Sequence, residues 1–303
     1  MSPAPKSTRV TTDDGVELHV EDTGSGLPIL FMHEFSGDAG SWEPQVRSFS
    51  RRNRCIAFNA RGYVPSDVPK DLDAYSQDRA VADALAVLDS LGIERAHLVG
   101  ASMGAFTVLH LGRTAPERAH SLVLSGCGYG SSPESREAFR DECAAIAEAY
   151  ETEGSETVAP TYAVGPARVQ YQNKDPRGWS EFAAKLARRD ATGAALTVRG
   201  VQRERPSLHE LSEELAGLQV PTLIVAGDED DGVLETSLML KRTIHSSALT
   251  VFPRSGHLCN LEEPELFNRT LSDFYGRVDG GTWTSRDPRS LSVSITGIEA
   301  DED

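Results

Sequence analysis

The chain has 303 residues, of which 39% are hydrophobic, enough for one large domain with a sizeable core. Its 46 acidic and 30 basic residues leave a net charge of −16, which would repel phosphate backbones and disfavours nucleic-acid partners. The four cysteines are widely spaced and contain no C-x-x-C pair, which favours reduced thiols. No apolar signal segment or membrane-spanning run is visible, so we expect a cytoplasmic protein without a membrane partner.

Strands and helices alternate in the first 125 residues. Residues 8–22 have a hairpin pattern around Asp13-Asp14-Gly15, and the apolar run Pro28–Met32 is typical of a buried central strand. The further predicted elements here are the strand 55–58, the helix 80–91, the strand before Gly100 with its helix to Leu111, and the strand 121–124. Strands that alternate with helices predict a doubly wound, mostly parallel α/β sheet.

The alternation stops between residues 127 and 216, where charged helical segments and scattered aromatics predict a mainly helical insertion. The sheet then resumes with the strand 221–226, the strand 249–252 and a last helix from about residue 264 to 275. We therefore predict a core made of residues 1–126 and 217–277, with residues 127–216 forming a cap.

A C-terminal extension, residues 278–303, falls outside this pattern. Leu291, Val293 and Ile295 alternate as in an edge strand, and the last residues are acidic. The extension is either a loosely packed tail or a docked, partner-contacting arm anchored by Trp283.

One turn of the chain has the pattern G-x-S-x-G, at Gly100-Ala101-Ser102-Met103-Gly104. A strand precedes it and an apolar helix follows, which is the context that a nucleophile elbow requires. A serine in such a strained turn needs small residues two positions away on both sides, and glycine occupies both. The pattern predicts a nucleophilic Ser102, against the alternative of a buried serine in a Gly-rich turn.

The elbow is one of four loops that follow predicted strands, where functional groups lie in sheets of this kind. The other three contain His33-Glu34-Phe35, Gly227-Asp228-Glu229-Asp230-Asp231 and Ser255-Gly256-His257. In this order, the motifs resemble the capped, esterase- or lactonase-like serine hydrolases of the α/β-hydrolase superfamily. The resemblance covers about residues 8–125 and 217–277. It implies a doubly wound sheet with a helical cap, and a triad in the order serine, acid, histidine.

The resemblance implies a role for each member of this triad. Ser102 would be the nucleophile, and His257 the base that takes the serine proton and later returns it. In similar proteins the acid usually lies three residues after the glycine that ends its strand, which here gives Asp230. Asp228 and Asp231 lie in the same loop and stay open as alternatives.

The oxyanion hole would consist of two backbone N–H groups, from Met103 and from Phe35. The family loop commonly reads His-Gly followed by an apolar residue, so Glu34 departs from the pattern. One expectation is that Glu34 points to solvent or pairs with a basic neighbour. The other is that it lies near the substrate, together with His33, and selects the substrate or places water.

These expectations describe an enzyme that hydrolyses a small carboxylic ester or lactone through an acyl-enzyme, without a cofactor or a metal. The same machinery in similar proteins cleaves C–C bonds or amides, and the fold does not decide between these reactions. A non-enzymatic alternative is a small-molecule receptor or partner protein on the same scaffold. We expect a small-molecule substrate as partner, and association between copies of the chain stays open.

Overall fold

The computed structural model describes residues 6–291, which form one eight-stranded sheet with helices on both faces. The strands are β1 (Lys6–Thr11), β2 (Glu17–Gly24), β3 (Leu27–Met32), β4 (Asn53–Phe58), β5 (Ala96–Ala101), β6 (Ala119–Ser125), β7 (Thr222–Gly227) and β8 (Ser247–Phe252). They lie in the order β1-β2-β4-β3-β5-β6-β7-β8. β2 is antiparallel to both β1 and β4, and all other neighbours are parallel.

Helices connect the parallel strands. They are α1 (Glu43–Phe49), α2 (Gln77–Ser90), α3 (Met103–Thr114), α4 (Arg136–Glu153), α5 (Ser155–Ala163), α6 (Val169–Lys174), α7 (Pro176–Ala187), α8 (Ala191–Leu196), α9 (Ser212–Ala216), α10 (Asp231–Thr243), α11 (Cys259–Glu262) and α12 (Pro264–Asp279). From β3 to β6 and from β7 to β8, one helix stands between successive strands, whereas α4 to α9 follow one another between β6 and β7.

The central strands are apolar on both faces, as β3 shows. Leu30 packs into an apolar cluster on one side of the sheet, whereas Ile29 and Phe31 pack into a second cluster with Trp42 and Phe267. Successive side chains of a strand point to opposite faces, so a strand covered on both sides is apolar throughout. The predicted doubly wound α/β fold class is confirmed.

The predicted element boundaries differ by a few residues from those in the structure. α2 begins at Gln77 rather than Ala80, because the Ser76 hydroxyl accepts a hydrogen bond from the Arg79 backbone N–H at 3.0 Å and caps the helix. α3 continues to Thr114, beyond the predicted end at Leu111.

The helices α4 to α9 lie inside the predicted cap range of residues 127–216. Cap residues Cys143, Tyr150 and Ala194 share a buried apolar cluster with Phe35 and Met103 of the core. Because both core residues follow parallel strands, this cluster places the cap over the carboxyl edge of the sheet.

The start of the C-terminal extension packs on the core. The Trp283 indole N–H donates to the Ser246 carbonyl at 2.8 Å, and its ring lies 4.7 Å from that of Phe274. The predicted edge strand includes Val293 and Ile295, which lie outside the described residues. Within residues 6–291, no helix combines the length and the apolar character needed to cross a membrane.

Candidate active site

Ser102 occupies a strained turn between β5 and α3, with φ 47° and ψ −110°. A Cβ atom on Gly104 would lie 2.1 Å from the Met32 carbonyl oxygen, and one on Gly100 would lie 2.3 Å from backbone atoms of Gly104. Because real atoms do not approach so closely, the elbow closes only with glycine at both positions. The Ser102 backbone N–H donates to the Ser125 carbonyl at 2.7 Å, which ties the turn to β6.

His257 and Asp230 lie together at the same edge of the sheet. Nδ1 of His257 is 2.6 Å from Oδ2 of Asp230, and both side chains are buried. The other two aspartates of the loop, Asp228 and Asp231, are exposed to solvent. Asp228 accepts a hydrogen bond from the Ser255 backbone N–H instead. Of the three candidate acids, Asp230 is the one that the structure brings to the imidazole.

The surroundings of Asp230 stabilise its ionised form. Burial alone would raise its pKa, but the imidazole of His257 and hydrogen bonds from His257 and Tyr129 hold the pKa below its usual range. The Tyr129 hydroxyl donates to Oδ1 at 2.9 Å. An ionised carboxylate here accepts the Nδ1–H of His257 and leaves Nε2 as the basic nitrogen.

The loop that carries His257 is fixed by the core and by the cap. The buried Glu262 carboxylate accepts hydrogen bonds from the backbone N–H groups of Gly256 at 2.7 Å and Leu258 at 3.0 Å. The His257 backbone N–H donates to the carbonyl of Ala167, a cap residue, at 2.7 Å. The position of the imidazole therefore depends on the cap as well as on the sheet.

The predicted oxyanion-hole donors, Phe35 and Met103, follow β3 and β5. Within residues 6–291, neither backbone N–H has an acceptor. The Phe35 N–H and the Glu34 carbonyl belong to the same peptide group, so hydrogen bonds to this carbonyl also hold the N–H in place. This carbonyl accepts from Nδ1 of His33 at 2.8 Å and from the Gly37 backbone N–H at 3.1 Å. Such bonds fix the direction of the Phe35 N–H.

His33 holds this peptide as a neutral imidazole. While Nδ1 donates to the Glu34 carbonyl, Nε2 accepts a hydrogen bond from the Ala60 backbone N–H at 3.1 Å. Accepting at Nε2 requires that this nitrogen carries no proton. Burial lowers the pKa of His33, which keeps the ring in this form.

Glu34 does not point to solvent but forms a buried ion pair with the cap. Its carboxylate accepts hydrogen bonds from the backbone N–H of Ser36 at 2.8 Å and from the Ser36 hydroxyl at 2.5 Å. Nη2 of Arg168 lies 3.4 Å from Oε2 of Glu34. Burial would raise the pKa of Glu34, but the Arg168 charge and the Ser36 hydrogen bonds lower it. The pair joins the oxyanion loop to the cap.

A cavity of about 670 Å³ opens at Ser102 and His257 and extends under the cap. Its lining also contains Phe35, Tyr129, Phe139, Tyr162, Arg168 and Arg205. The lining of this cavity contains neither His33 nor Glu34, although Arg168, which pairs with Glu34, does line it. In the same part of the chain, no three metal-ligating side chains come together.

Three residues of the site were not predicted from the sequence: Tyr129, Arg168 and Glu262. Tyr129 stands in the Gly-rich loop directly after β6, so its place at the carboxyl end of a strand was a usable signal. Arg168 and Glu262 reach the site only through tertiary packing of the cap and the last helices.

The sequence profile of the family described as "alpha/beta hydrolase fold" matches residues 28–264. The chain belongs to this family. This α/β-hydrolase is 30% identical over 273 residues to the 3-oxoadipate enol-lactonase 1 of Acinetobacter baylyi, covering 88% of this chain and 96% of that protein. It is 29% identical to the 2-hydroxymuconate semialdehyde hydrolase of Pseudomonas putida, covering 91% of this chain and 96% of that protein.

Solved structures show the same relationship. A thermophilic esterase from Thermogutta terrifontis superimposes on this α/β-hydrolase with a TM-score of 0.79 and 26% identity, covering 90% of this chain and 99% of the esterase. These three proteins are hydrolases, and the sequence and fold of this chain make it a hydrolase on the same scaffold.

Proposed function

We propose that this α/β-hydrolase cleaves a small carboxylic ester or lactone by serine catalysis. The observation that carries the proposal is the shared cavity. Ser102 and His257 line the same space, and the imidazole is bound through Nδ1 to the buried Asp230. The similarity to an enol-lactonase and to an esterase supports an ester or lactone as the substrate.

In the first half of the reaction, Oγ of Ser102 attacks the substrate carbonyl carbon while Nε2 of His257 takes the hydroxyl proton. The carbonyl oxygen becomes an anion that the N–H groups of Phe35 and Met103 stabilise. When the bond to the leaving oxygen breaks, His257 gives its proton to that oxygen. An alcohol leaves from an ester, whereas the opened hydroxyl of a lactone stays on the acyl group.

In the second half, water attacks the acyl-enzyme and His257 takes one of its protons. The same two N–H groups stabilise the second tetrahedral anion. Its collapse releases the acid, and the proton on His257 returns to Ser102. Asp230 keeps the imidazole oriented throughout and stabilises its protonated form.

We also propose a small-molecule substrate and a cytoplasmic location, which the cavity volume and the free thiols support. A volume of about 670 Å³ suits a small-molecule substrate. All four cysteines, Cys55, Cys127, Cys143 and Cys259, are buried and unpaired. Free thiols of this kind support a reducing, cytoplasmic setting.

Hydrolysis of 4-nitrophenyl acetate and butyrate by the wild type and by Ser102→Ala tests the proposal. We expect turnover that the substitution abolishes, together with covalent labelling of the wild type by a fluorophosphonate. Equal rates for both proteins and no labelling would reject it. A panel with lactones, amides and dienone acids tests the alternatives, since faster cleavage of a dienone acid or amide would point to C–C or amide hydrolysis. Saturable binding without turnover would point to a receptor.

A further inference from the structure

Arg205 is a buried cation without a buried counter-charge. The residue is 2% exposed, and its guanidinium lies over the Phe106 ring at 3.6 Å. Nη2 donates to the carbonyl of Tyr129 at 2.6 Å. Within residues 6–291, no carboxylate lies within salt-bridge distance of Arg205 and its Nε has no acceptor. A buried charge is costly unless it is paired, so this guanidinium is suited to an anion that the chain itself does not supply.

The free charge of Arg205 belongs to the catalytic cavity, because its side chain lines the same space as Ser102 and His257. Burial lowers the pKa of Arg205 to about 10, which leaves the side chain protonated at neutral pH. The Phe106 ring on which the guanidinium stacks lies in α3, one turn after Ser102.

Arg168 lines the cavity from the cap side. It is 9% exposed, and its Nη2 donates to the Glu34 carboxylate at 3.4 Å and to the Ser36 hydroxyl at 3.2 Å. Its guanidinium also lies 4.6 Å from the centre of the Tyr162 ring. Within the described residues, its Nε has no hydrogen-bond partner. Glu34 and Ser36 thus hold one end of the guanidinium and leave other N–H donors uncommitted.

We propose that the substrate carries a carboxylate, which Arg205 and Arg168 bind inside the Ser102 cavity. This inference rests on the proposed function and names the substrate class of the same site. A guanidinium matches a carboxylate in shape and charge, and such hydrogen bonds are stronger than neutral ones. The acidic side chains of the lining, Glu142 and Glu153, are exposed, so water and salt screen their repulsion.

Two matched ester pairs test the proposal on either side of the scissile bond. The acyl-side pair is mono-4-nitrophenyl glutarate and 4-nitrophenyl 4-carbamoylbutanoate. The alcohol-side pair is 4-carboxyphenyl butyrate and 4-carbamoylphenyl butyrate. In each pair the carboxylate is exchanged for a carboxamide of nearly the same shape. We expect kcat/KM of the wild type to favour the carboxylate by at least ~10-fold in one pair, the size of a charge-assisted hydrogen bond.

Substitutions then assign this preference to the two arginines. Arg205→Met and Arg168→Met should reduce the preference towards one, with a smaller change for the carboxamide ester. Arg205→Lys should keep part of it, because the charge remains while the planar fork is lost. Arg140, a half-buried cap residue that pairs with Glu204 and does not line the cavity, supplies the control: Arg140→Met should leave the preference unchanged. If Arg205→Met does not fold, the carboxylate preference of Arg205→Lys and Arg168→Met is compared with that of the wild type.

Three outcomes of these measurements would each count against one of the two proposals. Ser102-dependent hydrolysis with no carboxylate preference in either pair overturns this inference and leaves the proposed function intact. A preference that persists in both arginine variants also overturns it, and Arg205 is then a structural residue that stacks on Phe106. Absence of Ser102-dependent hydrolysis of all four esters instead counts against the proposed function.

Discussion

The Tyr129 hydroxyl donates a hydrogen bond to Oδ1 of Asp230 at 2.9 Å. The other carboxylate oxygen binds His257, so a tyrosine from the loop after β6 completes the surroundings of the acid. The rings of Tyr129 and His257 meet edge to face with centroids 5.3 Å apart. Tyr129 therefore contacts both partners of the imidazole–carboxylate pair.

Replacing Tyr129 by phenylalanine should lower kcat of ester hydrolysis by roughly 10-fold or more, because Asp230 loses a charge-assisted hydrogen bond. The ring remains in the cavity wall, so KM should change less than kcat. Steady-state kinetics with 4-nitrophenyl butyrate measures both. Tyr162→Phe, at a second tyrosine of the cavity, is the matched control. A Tyr129→Phe enzyme with wild-type kcat would show that this hydrogen bond does not support the acid.

The sequence was sufficient for the fold class and for one part of the candidate site. Glycine patterns and strand–loop signals are local, and they placed Ser102, Phe35 and Met103 at the ends of their strands. The resemblance to the family implied Asp230 as the acid and left Asp228 and Asp231 open. In the structure the Asp228 side chain is exposed and accepts a hydrogen bond from the Ser255 backbone instead.

The part of the site that comes from the cap could not be predicted from the sequence. Arg168 lies 134 positions from its partner Glu34 in the chain, and no periodic pattern connects the two. Glu34 departs from the family pattern, but this departure alone does not show where its side chain points. Its carboxylate meets a guanidinium because the turn between α5 and α6, which contains Arg168, folds against the loop after β3.

The Glu34–Arg168 pair should show strong coupling in a double-mutant cycle. Glu34→Gln leaves Arg168 buried without its counter-charge, so we expect a loss of roughly 3 kcal/mol in the free energy of unfolding. Adding Arg168→Met should recover part of this loss, because two neutral side chains avoid the isolated charge. Urea unfolding of the four proteins measures the cycle. Additive effects of the two substitutions would contradict a direct pair.

The Glu34–Arg168 pair should stabilise the fold less at acid pH than at neutral pH. The folded-state pKa of Glu34 is lowered, so its contribution is fully present above its ordinary value of 4.5 and decreases as the pH falls through the folded value. Glu34→Gln should remove this part of the pH dependence below about 4.5.

Substitution by alanine should destabilise the fold at an elbow glycine but not at a glycine on the surface. Gly104→Ala should destabilise the fold by ~3 kcal/mol, since the new Cβ would meet the Met32 carbonyl oxygen at 2.1 Å. Gly276 lies in α12 with open space around its Cα, so Gly276→Ala should stabilise by about 0.5–1 kcal/mol. Thermal unfolding compares the two variants. A Gly104→Ala protein as stable as the wild type would contradict the close approach at the elbow.

Three buried histidines should make the fold less stable below neutral pH. Burial lowers the pKa of His33, and it lowers the pKa of His97 to about 3 and that of His110 to about 4. The unfolded chain binds protons at these side chains below about 6.5, while the folded protein does not. The free energy of unfolding should therefore fall as the pH decreases from about 7 to about 5.

Urea unfolding at several pH values measures this slope, to which each histidine contributes on the order of 1.4 kcal/mol per pH unit well below 6.5. His110→Gln should remove one such contribution. Equal unfolding free energies at about pH 7 and about pH 5 would show that these imidazoles take up protons in the folded state.

Serine catalysis requires that Ser102 forms a covalent bond with the substrate, and a fluorophosphonate adduct reports this reactivity. After reaction with the probe, peptide mass spectrometry should place one adduct on Ser102, and Ser102→Ala should stay unlabelled. His257→Gln should label far more slowly, because the serine then lacks its base. An adduct at another residue, or none on a protein that hydrolyses 4-nitrophenyl butyrate, would contradict serine catalysis at this elbow.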